Sequence, residues 1–182
     1  MTVLGIDPGT AATGYGVVRR VEGPRQAVLV ECGVIRTRPR DTLAGRLLEI
    51  FEGVTELIER HRPEVLAVED VFYARNVRTT VVLGHARGVV LLAGARAGVH
   101  IHEYPPAEIK KAVVGSGGAT KAQVQFMLMR LLRLQSVPHP SDAADGVAAA
   151  LTYCLTAPAT RRALVAAAAP ARAEPGPRAA RV

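Results

Sequence analysis

The stretch that decides the fold of this chain is VLGIDPGTAATGYGVV, residues 3–18. It begins with a short, continuous apolar run that is typical of a buried strand, and Asp7 follows this run directly. Pro8 and Gly9 then supply turn residues before a second run, Tyr15–Val21, which is rich in β-branched side chains. The pattern predicts two strands with a tight connection and a carboxylate at the end of the first strand.

The rest of the chain predicts three further strands and five helices. The strands are expected at Ala27–Ile35, Val65–Glu69 and Val99–Tyr104, and the helices at Asp41–His61, Val77–Ala97, Ala107–Val114, Lys121–Leu134 and Ser141–Thr156. Short connections join the first three strands, which should form an antiparallel meander, whereas the fourth and fifth strands each follow a helix and should pair in parallel. We therefore predict an α/β fold with a mixed five-stranded sheet and helices on both faces.

Two of these helices carry recognisable start signals. Thr120 and Gln123 have the spacing of a capping box at the start of the fourth helix. Ser141 is in place to cap the last helix as the residue that precedes its first turn.

Length and charge point to one domain with an anionic partner. The chain has 182 residues, a net charge of +7 and a pI near 10.1, which favours nucleic acid as the partner. We assign residues 1–156 to a single domain. The tail, residues 157–182, is rich in Ala, Pro and Arg, and we expect it to be disordered.

Cysteine usage and hydropathy indicate a cytoplasmic protein with no membrane partner. Cys32 and Cys154 are the only cysteines and form no CxxC motif, so neither a zinc site nor a disulfide framework is indicated. The start of the chain lacks the features of a secretory signal. The apolar stretch Val81–Ala95 is interrupted by His85 and Arg87, which argues against a membrane span.

Four carboxylates lie where a nuclease needs them. Asp7 and Glu69 end two apolar strands, at the position where open α/β sheets place their ligand chemistry. Asp142 and Asp145 lie three residues apart and share one face of the last helix. Such carboxylates would repel each other unless cations were bound, and their hard oxygen atoms suit Mg²⁺ or Mn²⁺.

Four segments of the chain resemble the RuvC family of Holliday-junction resolvases. The resemblance runs from about Leu4 to Cys154 and is carried by DPGTAATGYG (7–16), VEDVFYARN (68–76), VVGSGGATKAQVQ (113–125) and HPSDAADGVAAAL (139–151). It implies a ribonuclease-H-like fold, a homodimer, and paired symmetric nicks in a four-way DNA junction during recombination and repair. It also implies a branch-migration motor complex as a partner.

The same resemblance assigns catalytic roles to the four carboxylates. It implies that Asp7, Glu69, Asp142 and Asp145 bind two Mg²⁺ ions, with Mn²⁺ as a substitute and Asp7 as the bridging ligand. Two such metals about 3.5–4 Å apart activate a water molecule and stabilise the departing 3′ oxygen. Some relatives have His at the position of Asp142. Asp70 should point to the opposite face of the sheet because side chains alternate along a strand.

The resemblance and the local charge also indicate residues that bind DNA. An aromatic and basic segment follows Glu69 and suits base stacking at an opened junction; its members are Phe72, Tyr73, Arg75, Asn76 and Arg78. The lysines are Lys110, Lys111 and Lys121, and the family pattern matches Lys110 and Lys121. Lys121 opens a helix after a glycine loop, where free amide groups favour phosphate, so we assign it to the catalytic site as well.

Two alternative functions stay open at this point, and the chain length argues against a third. A YqgF-like relative would have the same fold and act as a monomeric ribonuclease, and a junction-binding protein would have no catalysis. A sugar-kinase or actin-type ATPase also begins with Asp-x-Gly after a first strand, but it needs a second domain that 182 residues cannot hold.

Gly84 and Gly88 either permit packing within the monomer or, on an exposed stripe, form a two-fold dimer contact.

Overall fold

The computed structural model of the chain describes residues 1–21, 27–70 and 77–157. Within these residues lie five strands, β1 (Thr2–Asp7), β2 (Ala12–Arg20), β3 (Ala27–Arg36), β4 (Val65–Glu69) and β5 (His100–Tyr104). They also contain five helices, α1 (Leu43–His61), α2 (Val77–Arg96), α3 (Pro106–Val114), α4 (Lys121–Leu132) and α5 (Ser141–Thr156). The predicted number and order of elements are confirmed.

The strands form one mixed sheet in the order β3-β2-β1-β4-β5. β1, β2 and β3 pair antiparallel, whereas β4 pairs in parallel with both β1 and β5. Asp7 lies opposite Gly14 on β2, and Ile6 lies level with Val68 on β4. The register therefore brings the ends of β1 and β4 to the same edge of the sheet. The predicted fold class is confirmed.

Side-chain alternation divides the core into two layers. Val3 of β1 packs in a cluster with α3, α4 and α5, whereas Leu4 and Ile6 pack in a second cluster with α1 and α2. β4 behaves in the same way, since Ala67 belongs to the first cluster and Leu66 to the second. The two clusters place helices on both faces of the sheet. None of the helices in the described ranges has the length and apolarity needed to cross a bilayer.

Helix α5 lies unusually close to the sheet because glycines replace side chains at the contact. A Cβ atom added at Gly16 would lie 2.5 Å from the Cα atom of Val147, and one added at Gly146 would lie 2.5 Å from the Cα atom of Tyr15. A Cβ atom at Gly14 would overlap with the carbonyl oxygen of Asp142. These contacts hold the first turns of α5 over the ends of β1 and β2.

The two predicted helix starts have different outcomes. The capping box is confirmed, because the Thr120 hydroxyl accepts a 3.3 Å hydrogen bond from the Gln123 amide and the Thr120 amide donates a 2.8 Å bond to Gln123 Oε1. The prediction for Ser141 is wrong, because Ser141 is the first helical residue of α5 and Pro140 occupies the cap with extended backbone. The fixed φ of proline already sets the direction of entry into the helix.

Candidate functional site

The acidic side chains at the ends of β1 and β4 point to the same face of the sheet. Asp7 follows the alternation of Val3 and Gly5, and Glu69 follows that of Ala67, so both carboxylates lie on the side of α5. Asp70 points to the other side, as predicted, where its carboxylate lies 3.1 Å from the guanidinium Nε of Arg87 on α2. Two carboxylates from neighbouring strands therefore meet below α5.

A cleft of about 210 Å³ collects these groups with residues from three helices. Its charged lining consists of Asp7, Glu69, Lys110, Lys121 and Asp145. Pro106, Ile109, Val124 and Ala148 complete the walls. The cleft therefore combines three carboxylates and two ammonium groups on partly apolar walls.

Lys121 links the helix that it opens to the acidic side chains. Its ammonium group donates a 2.6 Å hydrogen bond to Asp145 on α5. Because α4 begins at Lys121 with a complete capping box, the base of this side chain is held firmly. The ion pair joins α4 and α5 across the mouth of the cleft.

The two strand-end carboxylates have strongly raised pKa values. Burial, followed by the charges of Asp145 and Asp142, raises the pKa of Asp7 to about 7, although Lys121 opposes the change. Burial, followed by the charges of Asp7 and Asp145, raises the pKa of Glu69 to about 8 against the effect of Lys110 and Lys121. Near neutral pH, the cleft thus retains protons that free carboxylates would lose.

The Lys121–Asp145 pair shows the same crowding of charge. Burial raises the pKa of Asp145, and the Asp142 charge adds to this, while the hydrogen bond from Lys121 opposes it. Partial burial disfavours the charged form of Lys121, but the hydrogen bond to Asp145 and the nearby aspartates outweigh this and raise its pKa. Lys121 is therefore a permanent cation among the carboxylates of the cleft.

The donor set fits a hard divalent cation. Asp7, Glu69 and Asp145 are half-buried oxygen donors whose mutual repulsion a cation would relieve, and Mg²⁺ and Mn²⁺ prefer such ligands. As the side chains stand, no three acidic, histidine or cysteine residues in the described part of the chain form a ready ligand set. Lys121 is instead the cation that contacts Asp145.

Comparison with known proteins decides which family has this site. A family model described as Crossover junction endodeoxyribonuclease RuvC matches residues 3–153. The chain belongs to the RuvC family. The resemblance inferred from the four sequence segments is thereby confirmed.

Curated and solved relatives agree with this membership. A RuvC crossover junction endodeoxyribonuclease from Pelotomaculum thermopropionicum is 48% identical over 153 residues, which cover 84% of this chain and 92% of the relative. The structure of Thermus thermophilus RuvC in complex with Holliday junction substrate is 38% identical, with a TM-score of 0.82, and the match covers 90% of this chain and 97% of that one. A second Thermus thermophilus RuvC structure gives a TM-score of 0.78 at 39% identity, over 85% of this chain and 93% of that chain.

The structure brings some of the predicted site residues together and leaves others apart. Asp7, Glu69, Asp145, Lys110 and Lys121 line one cleft, whereas Asp142 is half-buried beside it and acts on Asp7 through its charge. Lys111 and Arg78 are exposed and do not line the cleft. The remaining predicted DNA contacts, Phe72, Tyr73, Arg75 and Asn76, lie outside the described residues.

Sequence reasoning missed the residues that hold the connection after Asp7. The buried hydroxyl of Thr13 donates a 2.7 Å hydrogen bond to the carbonyl of Gly9, and the buried hydroxyl of Thr37 donates a 2.6 Å bond to the carbonyl of Thr10. Arg46 Nε donates to the same Thr10 carbonyl at 3.0 Å. The available signal was the polar Thr10–Thr13 stretch, whose backbone groups needed partners.

Proposed function

We propose that this RuvC-family endonuclease resolves four-way DNA junctions by hydrolysing phosphodiester bonds in the cleft that Asp7, Glu69, Asp145 and Lys121 line. The family establishes a crossover junction endodeoxyribonuclease. The observation that supports this location is the meeting of three carboxylates with raised pKa values and two lysines in one cleft. A second hollow, between α1 and α2, is mostly apolar and contains no carboxylate.

The four carboxylates are proposed to hold two Mg²⁺ ions, with Mn²⁺ as a substitute. When bound, two such cations supply an activated water and charge stabilisation for the leaving oxygen. Asp7 lies on the central strand beside the strand that ends in Glu69, and its carboxylate is coupled by charge to Glu69, Asp142 and Asp145, so it would be the ligand best placed to serve both cations. Asp142 supports the site from its edge, since its charge acts on Asp7, Asp145 and Lys121.

The chain's own cations are proposed to orient the DNA backbone and to offset its charge. Lys121 and Lys110 lower the pKa of Glu69, so they hold the carboxylates closer to the ionised form that metal binding needs. Both ammonium groups also line the cleft, where they can meet a phosphate oxygen. Lys111, Arg78 and the aromatic segment that begins at Phe72 are proposed to contact the DNA further out.

A homodimer is proposed to supply two such clefts through the exposed face of α2. Val81 and Leu92 are 53% and 58% exposed, and they line an apolar hollow with Leu47 of α1. Gly84 and Gly88 lie on the floor of this hollow, and a Cβ atom at either would meet nothing within 4 Å. A two-fold axis through this face would bring two α2 helices into close contact and match the two equivalent strands of a junction.

The proposed partners follow from the family. A four-way junction is the ligand of the Thermus thermophilus relative, and we propose the same ligand here. A branch-migration motor complex is a further proposed partner, and the cytoplasm is the proposed location of the reaction.

The proposal is tested by cutting assays on three DNA substrates. Labelled four-way, duplex and single-stranded DNA are incubated with the full chain, with and without Mg²⁺ or Mn²⁺, and the products are resolved on sequencing gels. We expect paired nicks in the four-way DNA alone, and only with metal. Equal cutting of all three substrates would overturn the structural selectivity.

Two variants separate catalysis from binding. Asp7→Asn should bind the junction and fail to cut it, because the amide is a weaker ligand without negative charge. Glu59→Gln makes the equivalent change at an exposed position of α1 outside the cleft and should cut at the normal rate. Cutting by Asp7→Asn at the normal rate would contradict the proposed ligand set.

For the unmodified chain, preference for RNA would favour the YqgF-like alternative, and binding without any cutting would favour an architectural protein.

A further inference from the structure

The connection between β3 and α1 forms an arginine-rich corner at the edge of the sheet that holds Asp7. Its arginines are Arg36, Arg38, Arg40 and Arg46. β3 ends where β2 begins, since Arg36 lies opposite Ala12, and the Thr37 amide donates a 3.2 Å hydrogen bond to the Ala11 carbonyl. The corner is therefore fastened to the β1–β2 connection, residues 8–11, which starts directly after Asp7.

Arg46 is held at this corner by neutral oxygen atoms. Its Nε lies 3.0 Å from both the Thr10 carbonyl and the Thr37 hydroxyl, and it donates to each of them. Within the described residues no carboxylate pairs with Arg46, and no hydrogen bond engages its two terminal amino groups. The guanidinium is thus fixed through one nitrogen, while its two terminal amino groups, which can bind a phosphate in a bidentate way, stay available.

The neighbouring arginines add unpaired positive charge. Arg36 and Arg40 are exposed, and neither forms an ion pair in the part of the chain that the structure describes. Arg38 lies 3.3 Å from a Glu49 oxygen, so its charge is already offset. The other acidic group at the corner is exposed Asp41, which leaves the four arginines in excess over two carboxylates.

The corner lies within reach of the DNA around the proposed scissile phosphate. Thr10 is three residues from Asp7, so its carbonyl and the Arg46 Nε bound to it lie within roughly 17 Å of the Asp7 Cα. At about 3.4 Å of rise per nucleotide, this distance corresponds to about five nucleotides of one strand. α1 packs on the opposite face of the sheet from Lys110 and Lys121, so Arg46 and these two lysines lie on opposite sides of the catalytic edge.

We propose that Arg36, Arg40 and Arg46 form a second phosphate-binding surface, which holds a DNA arm beside the β1–β2 connection that follows Asp7. The surface binds backbone phosphates and is independent of base sequence. It rests on the proposed function, because its ligand is the same four-way junction. Arg46 couples this contact to the β1–β2 connection through the Thr10 carbonyl.

The salt dependence of junction binding tests this surface. A fluorescent four-way junction is titrated in EDTA with the full chain carrying Asp7→Asn, over a series of NaCl concentrations. Each lost phosphate contact reduces the magnitude of the negative slope of log K against log salt by about 0.9. We expect Arg36→Gln with Arg40→Gln to reduce this magnitude by about 2, and Arg46→Gln to reduce it by about 1. Arg46→Lys keeps the charge and should restore most of that last loss.

A charge-matched control decides between contact and net charge. Arg19→Gln with Arg62→Gln removes two exposed arginines from the opposite edge of the sheet and should leave the slope unchanged. Equal slopes for the two double variants would overturn the arginine surface alone. A parent chain that binds no junction would overturn the proposed function itself. Melting curves of Arg46→Gln and Arg46→Lys show whether a loss of binding reflects a loss of folding.

Discussion

Lys121 and Asp145, which are 24 residues apart in the chain, share a 2.6 Å hydrogen bond at the mouth of the cleft. The lysine therefore contacts one of the clustered carboxylates directly, and its ammonium group points towards the cleft. It lowers the pKa values of Asp7 and Glu69, whose burial acts in the opposite direction. Lys121 thereby makes the carboxyl groups of the cleft easier to ionise, and the ionised carboxylates are the form that binds a divalent cation.

Replacing Lys121 with Met should shift the pH dependence of cutting and slow the reaction. Without the ammonium group, the pKa values of Asp7, Glu69 and Asp145 rise further. The pH at which the cutting rate begins to increase should therefore be higher by about one pH unit. The loss of a charge that we propose to face the reacting phosphate should cost about 10²-fold in rate. Single-turnover cutting between pH 6 and 9.5 measures both effects.

The matched control for this variant is Lys111→Met. Lys111 is exposed and lies outside the cleft, so its removal should leave the pH dependence in place and affect only junction binding. The role of Lys121 would be contradicted if both variants gave the same pH profile.

Stability of the metal-free protein should fall as the pH rises, and Asp7 should account for part of the loss. The folded pKa of Asp7, about 7, lies above its ordinary value of 3.8, so the folded state keeps a proton that the unfolded chain releases. Between these two values, stability decreases with pH, by up to about 4 kcal/mol for this group. Asp7→Asn should therefore melt several degrees higher than the parent at pH 8 and at nearly the same temperature at pH 4.

Scanning calorimetry in EDTA from pH 4 to 8.5 measures this effect. Asp41→Asn, at an exposed position, should follow the parent chain throughout. Added Mg²⁺ or Mn²⁺ should stabilise the parent at pH 8 and have less effect on Asp7→Asn. A parent whose melting temperature rises steadily over this range would contradict the crowding of carboxylates.

The strands and the positions of the two strand-end carboxylates were predictable because each depends on local pattern. Short apolar runs ending in Asp7 and Glu69 identify buried strands, and alternation then gives the face of Asp70 correctly. The start of β2 was harder to predict, because Ala12 and Gly14 have little β-propensity and are extended through their pairing with the neighbouring strands.

Long-range contacts explain what the sequence did not reveal. The bond between Lys121 and Asp145 depends on how α4 and α5 cross, which no local pattern encodes. Arg46 resembles any polar residue on a helix until β3 and the β1–β2 connection bring Thr37 and Thr10 to it. The prediction that Ser141 caps α5 was wrong because the preceding proline already occupies the cap position.

Close packing of α5 against β2 should make Gly16 intolerant of any side chain. The Cβ atom of Gly16→Ala would lie 2.5 Å from the backbone of Val147, so α5 would have to move away from the sheet. Such overpacking costs roughly 1–3 kcal/mol, and it also displaces Asp142 and Asp145 from the strand ends. We expect a lower melting temperature together with a loss of cutting.

Gly118→Ala provides the comparison for that variant. Its added Cβ atom would lie 3.9 Å from the nearest heavy atom, the hydroxyl of Ser116, so its melting temperature should match that of the parent. If Gly16→Ala melted at the parent temperature too, α5 would not need the close approach that the glycines allow.

The proposed dimer should be separable from the fold of the monomer at Gly88. A Cβ atom at this position meets nothing within 4 Å, so Gly88→Glu should fold with little change in melting temperature. A charged side chain on the floor of the apolar α2 hollow would nevertheless oppose the burial of that face against a second copy. Sedimentation equilibrium should show a monomer, and paired nicking should give way to single, uncoupled nicks.

Gln135→Glu adds a carboxylate at an exposed position after α4 and should stay dimeric. A Gly88→Glu protein that sediments as a dimer would place the two-fold contact elsewhere.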